Sequence, residues 1–154
     1  MPTIIRLLVL ATCVTITLRS GVTDLCDLTS RDLTTGEHLA LSARMGFTAH
    51  GMFLLTDKCS KKVPALLVLT PHDEGAPDVG FELDGEALHR LSPFLRLTGG
   101  GTIACGTLVG QFASKPHFRT EGSGAELRGN GFGHQGVFQF AFILQSVAEI
   151  HACE

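Results

Sequence analysis

His134 is the residue of this chain best placed to do chemistry. It stands in Gly129-Asn130-Gly131-Phe132-Gly133-His134-Gln135-Gly136, among glycines that reach backbone angles closed to other residues. An imidazole so placed can contact a ligand, coordinate a metal or act as a base. It can equally bond loop backbone groups and pin the entrance to the segment that follows, and this structural role comes first. No acid or nucleophile lies at a diagnostic spacing from it. His134 is therefore the leading candidate for a ligand contact, with Lys58 and Lys62 behind it, and no residue is assigned as catalytic.

Other chemistries fail on spacing. The seven histidines include no H-x-H or H-x3-H pair of the kind one strand or helix turns toward a metal. His72-Asp73-Glu74 is a local cluster of possible ligands, but it lies between prolines in a polar loop. Neither a metal site nor a cofactor is expected. Thr98-Gly99-Gly100-Gly101-Thr102 lacks the Lys-Ser or Lys-Thr pair of a phosphate loop and precedes a strand. There is no G-x-S-x-G, and Gly122-Ser123-Gly124 sits in a polar loop rather than a strand-to-helix elbow. Lys58, Lys61 and Lys62 form one basic patch. Yet the formal net charge is −3, the chain has no Trp or Tyr, and several of its Phe residues fall on alternating faces that a core would consume, so a nucleic-acid partner is not expected.

The first 21 residues read as an export signal. Arg6 is an early positive charge, Leu7 to Leu18 is mostly apolar, and Ser20-Gly21 are small residues near a cut. The apolar run is short for a membrane span, and Leu10-Ala11-Thr12-Cys13 is a poor lipoprotein box, so a lipid-anchored form is not expected. Removing the leader takes Cys13 and leaves Cys26, Cys59, Cys105 and Cys153. An even count in an exported domain favours two disulfides, with three possible pairings. No CxxC motif occurs.

Residues 22–154 form one domain with no repeat or linker. Apolar residues are 44% and charged residues 18% of the chain, and there are eighteen glycines, a balance that points to a folded, mainly β domain. Asp24 to Asp32 is a short helix candidate with Asp24 as its N-cap. Leu39 to Ala49 alternates as a half-buried strand, with Leu39, Leu41, Ala43, Met45 and Phe47 on one side. Met52 to Thr56 and the apolar run Ala65 to Thr70 are the second and third strands. Asp84 to Leu91 is a helix ending before Pro93. Ile103 to Phe112 is the fourth strand, with Gly106 and Gly110 permitting a bend or a close backbone approach. Lys115 to Gly136 is a long polar connection. Val137 to Ile150 is the fifth strand, with Phe138, Phe140, Phe142 and Leu144 pointing one way.

Five strands with a helix between the third and fourth follow the order of an OB-like barrel. The succession Asp24-Leu25-Cys26-Asp27-Leu28, the turn at Gly36, the loop bearing Cys59, Val109-Gly110-Gln111-Phe112 and Gly131-Phe132-Gly133-His134 resembles a group of small exported bacterial proteins of unassigned function with an OB-like β-barrel. The likeness spans most of residues 24–150, and the long loop from Ser114 to Gly129 departs from it. It implies that Cys26 pairs with Cys59, and it implies no chemistry.

The expectation is a mainly β, five-stranded OB-like barrel with one or two short helices, exported to the periplasm or the extracellular space. Its function is that of a small binding or interaction module without catalytic activity, its partner an envelope protein or a small ligand. The ligand is expected between the 58–62 loop and the Gly131–His134 loop. The alternatives are a hydrolase-type enzyme using His134 and a structural envelope component.

Overall fold

The computed structural model describes residues 21–29, 31–34, 36–95 and 102–153. The expected leader, Cys13 and most of the Thr98-to-Thr102 turn lie outside them. The alternating stretch becomes β2 (His38–Thr48), whose Leu41, Ala43, Met45 and Phe47 are buried. A short strand β1 (Val22–Asp24) runs parallel to its first half, pairing Val22 with Ala40. The Ala49-His50 turn leads into β3 (Gly51–Leu55), and β4 (Leu66–Leu69) follows; each is antiparallel to the strand before it.

After α1 (Gly85–Leu95) comes β5 (Thr102–Ser114). A small hairpin of β6 (Thr120–Glu121) and β7 (Arg128–Gly129) precedes the last strand, β8 (Phe140–Ala152). β8 runs parallel to β4 and antiparallel to β5, and β5 returns to β2 from His38 to Phe47. The order β2-β3-β4-β8-β5 thus closes on itself. It is the expected mainly β, five-stranded OB-like barrel. No described helix is long and apolar enough to cross a membrane.

Two apolar clusters explain the sequence pattern. The barrel interior takes alternate residues of the long strands, Leu25, Leu28 and Leu33 from the N-terminal turns, and Ala87 and Leu91 from α1. A second cluster lies outside the sheet, where Leu67, Leu69, Ala141 and Ile143 are covered by Phe132 and, in part, by Phe81 and Phe138. β4 is therefore buried on both faces, which is why it reads as a continuous apolar run rather than an alternation. Phe138 corrects the expected fifth strand. It lies before β8, bridges to Phe132 and packs against Phe53 with ring centroids 5.3 Å apart, so it belongs to the outer cluster and not to the line of Phe140, Phe142 and Leu144.

The helix expected over Asp24 to Asp32 is instead β1 followed by two 3-10 turns, Leu25–Asp27 and Asp32–Thr34. Asp24 does cap, accepting from the Cys26 N–H at 2.8 Å. The Asp32 carboxylate, however, accepts from the Thr29 N–H at 2.8 Å and the Thr29 hydroxyl at 2.6 Å, which closes a local turn. So short a segment cannot sustain a helix against that competition.

Barrel closure depends on two irregularities in β8. Thr107 faces Glu149 while Leu108 faces Val147, and Val109 faces Ser146 while Gly110 faces Leu144, so Ala148 and Gln145 are extra residues that bend the strand. Carbonyls at the bulges accept hydrogen bonds from α1 and from the residue before it. The Asp84 N–H reaches Gln145 O at 2.7 Å, and the Arg90 guanidinium reaches Val147 O at 2.9 Å and Ala148 O at 2.6 Å. The two glycines of β5 lie at the same crowding, since a Cβ on Gly106 would strike Glu149 O and one on Gly110 would strike Ile143 O.

α1 also runs past its expected stop, through Pro93 to Leu95. Proline has no N–H to offer the His89 carbonyl, but the Ser92 hydroxyl donates to that oxygen at 2.9 Å. Phe94, stacked on Phe47 at 6.0 Å, holds the last turn against the barrel. Cys26 pairs with Cys59 and Cys105 with Cys153.

Candidate functional site

The glycine-rich loop is shaped by its own backbone. The Gly129 N–H donates to Gln135 O at 2.8 Å, Gly131 N–H to Gly136 O at 2.7 Å and Phe132 N–H to Phe138 O at 2.7 Å, so the segment folds back on itself. A Cβ on Gly131 would collide with Phe138 O. One on Gly136, whose φ is +64°, would collide with Gly129 O. These two glycines are required by packing, whatever the loop binds.

Asn130, rather than His134, bonds loop backbone groups, and it ties the loop to the segment from His117 to Arg119 and not to the entrance of the final strand. Its Oδ1 accepts from the Arg119 N–H at 2.8 Å, and its Nδ2 donates to His117 O at 2.9 Å. His134 sits at the tip of a tight turn closed by the Gly136 N–H on Gly133 O at 2.8 Å. Its side chain is exposed and, among the described residues, has no hydrogen-bond partner.

Two adjoining depressions meet at this histidine. The wider, of 800 Å³, lies between the His50-Gly51 turn, β4 with the loop at 73–75, and the stretch Arg128 to Gly136. The second, of 350 Å³, shares His50, Leu67, Gly133, His134 and Gln135 with it and adds Phe53, Val137 and Phe138. Together they make one groove with a polar end and an apolar end. The polar end holds Asp73, Glu74 and Arg128. Asp73 closes its own turn by accepting from the Thr70 N–H at 2.5 Å. Arg128 donates to Ala125 O at 3.2 Å and Leu127 O at 2.9 Å. Glu74 is exposed and has no partner among the described residues.

Lys58 lines a different cleft, of 220 Å³, beside the disulfides, with Arg44, Cys59, Cys105, Glu149 and His151. Lys62 is exposed and lines neither that cleft nor the groove. The expected ligand position between the 58–62 loop and His134 thus divides into two separate places. In the smaller cleft much of the charge is already engaged. Arg44 bonds Asp57 at 2.8 Å, and Glu149 accepts from the Thr107 hydroxyl at 3.2 Å. The hydrogen bond from Arg44, helped by its charge, holds the Asp57 carboxyl below its ordinary range.

The His72-Asp73-Glu74 cluster does not converge. His72 lies 2.9 Å from Glu82, Asp73 accepts from the Thr70 N–H, and Glu74 is exposed on the lining of the groove. Among the described residues no group of three or more His, Cys, Asp or Glu side chains could hold a metal.

Sequence reasoning missed His50, Glu74 and Gln135 as groove residues. The available signal was topological: in this strand order His50 is the turn between the first two barrel strands, and residues 115–139 connect the last two. Compared with protein-family models, curated proteins and solved structures, the chain finds no match.

Proposed function

We propose that this protein is an exported binding module whose ligand lies in the groove between the His50 turn, β4 and the Arg128–Gly136 stretch. One observation carries the reading. The 800 Å³ depression falls on the second and third barrel strands and on the loops joining strands one to two and four to five, which is where OB barrels receive their ligands. The warrant is an analogy of fold, joined to the concave shape and mixed lining of this particular site. Export is supported by the leader-like first residues and by two disulfides, which persist in oxidising compartments.

The test is a titration of the ¹⁵N-labelled, oxidised chain with defined probes: short peptides, maltotriose, chitotriose and hexathymidylate. At least one probe is expected to shift amides of residues 50–53, 67–75 and 128–138 together. His134→Ala should weaken that probe by about threefold to tenfold, as for loss of one hydrogen-bonding contact, with an unchanged melting temperature. No shift with any probe, or shifts confined to the cleft beside the disulfides, would remove the reading. Turnover of a probe that is lost in His134→Ala would replace it with the hydrolase.

A further inference from the structure

From the groove just described, and resting on that reading, we infer the class of its ligand: a peptide segment carrying an apolar or aromatic side chain next to lysine or arginine. The groove is amphipathic along its length, and the two ends are joined through His50, Leu67 and His134, which line both depressions. At one end Phe53, Val137 and Phe138 offer a partly covered apolar hollow of 350 Å³, suited to one bulky side chain.

At the other end Asp73 and Glu74 stand against Arg128, an excess of one negative charge with the histidines neutral. The Arg128 guanidinium already donates to two carbonyls of its own loop, whereas the Glu74 carboxylate has no partner among the described residues. A cation seated there gains a charge-assisted bond. A phosphate would meet two carboxylates, which disfavours a nucleic acid. Between the ends, Gly131 and Gly133 line the groove with main chain rather than side chain. The Gly131 N–H and the Gly133 carbonyl are taken within the loop, and the Gly131 carbonyl and Gly133 N–H are the groups that can match amides of an extended peptide.

The experiment compares two probes, Ac-Gly-Lys-Phe-Lys-Gly-NH₂ and Ac-Gly-Glu-Phe-Glu-Gly-NH₂, titrated into the oxidised full chain by NMR. The lysine peptide is expected to shift amides of residues 67–75 and 133–138, and to bind at least about fivefold more tightly than the glutamate peptide. Glu74→Lys should weaken the lysine peptide by about threefold to tenfold, the scale of one exposed charge pair reversed, and leave the melting temperature in place because Glu74 supports no other residue. Equal affinities for the two peptides, or an unchanged affinity in Glu74→Lys, would overturn the assignment. If maltotriose or hexathymidylate shifts these same amides while the lysine peptide does not, the groove stands and its ligand class falls. If no probe shifts them, both fall.

Discussion

The Asn130 side chain carries two hydrogen bonds to the backbone, while His134 is exposed at the tip of its turn with no hydrogen-bond partner among the described residues. Asparagine offers a carbonyl and an amide together, so one side chain satisfies both a donor and an acceptor on the single segment from His117 to Arg119. Imidazole, with fixed ring geometry, cannot do so at the same reach. Arg44 and Asp57 form a 2.8 Å pair that ties β2 to the turn after β3. Asp57 titrates below its ordinary value of 3.8. The pair therefore contributes stability that is fully present above that value and is lost as pH falls through the lowered one. Urea unfolding of wild type and Asp57→Asn across this acid range should show wild type losing stability more steeply with falling pH. The difference is small, because Asp57 is exposed and screened. Parallel curves would show that the pair does not contribute.

At the scale of elements, α1 is a device for closing the barrel. The bulges at Gln145 and Ala148 bend β8, and Asp84 and Arg90 donate to three carbonyls there. Arg90→Met keeps the apolar stem and removes the donors. It is expected to cost about 2 kcal/mol, the loss of two charged hydrogen bonds at a half-open site, read from chemical denaturation. A change below about 0.5 kcal/mol would mean that water replaces the guanidinium. The helix could be expected from Asp84 and the Ala87–Leu91 spacing, but its reach through Pro93 could not. That last turn needs Ser92 on the His89 carbonyl and Phe94 on Phe47, and the second of these partners lies far away in the chain.

For the molecule as a whole, the disulfides close loops of 33 and 48 residues, each worth about 4 kcal/mol through the entropy of the unfolded chain. Replacing Cys105 and Cys153 together by serine should lower the melting temperature by about 10 °C or more in a domain of this size. A shift of a degree or two would show that β5 and β8 hold that end without the bond. The alternation in β2, the continuous run in β4, the tight glycines of β5 and the turn-forming glycines were legible in the residues, because hydrophobic period and backbone freedom are local properties. The barrel order followed from them, since a helix between the third and fourth of five strands leaves few ways to close a sheet. What the sequence by itself determined was therefore the five barrel strands and their order. The tertiary structure alone decided that Cys105 meets Cys153, that Phe138 leaves the last strand for an outer cluster, and that Lys58 and His134 line different hollows. It alone brought His50 and Glu74 to the same groove as His134. Each of these is a contact between segments distant in the chain, set by how the barrel closes, and neither spacing nor periodicity along one segment carries that information.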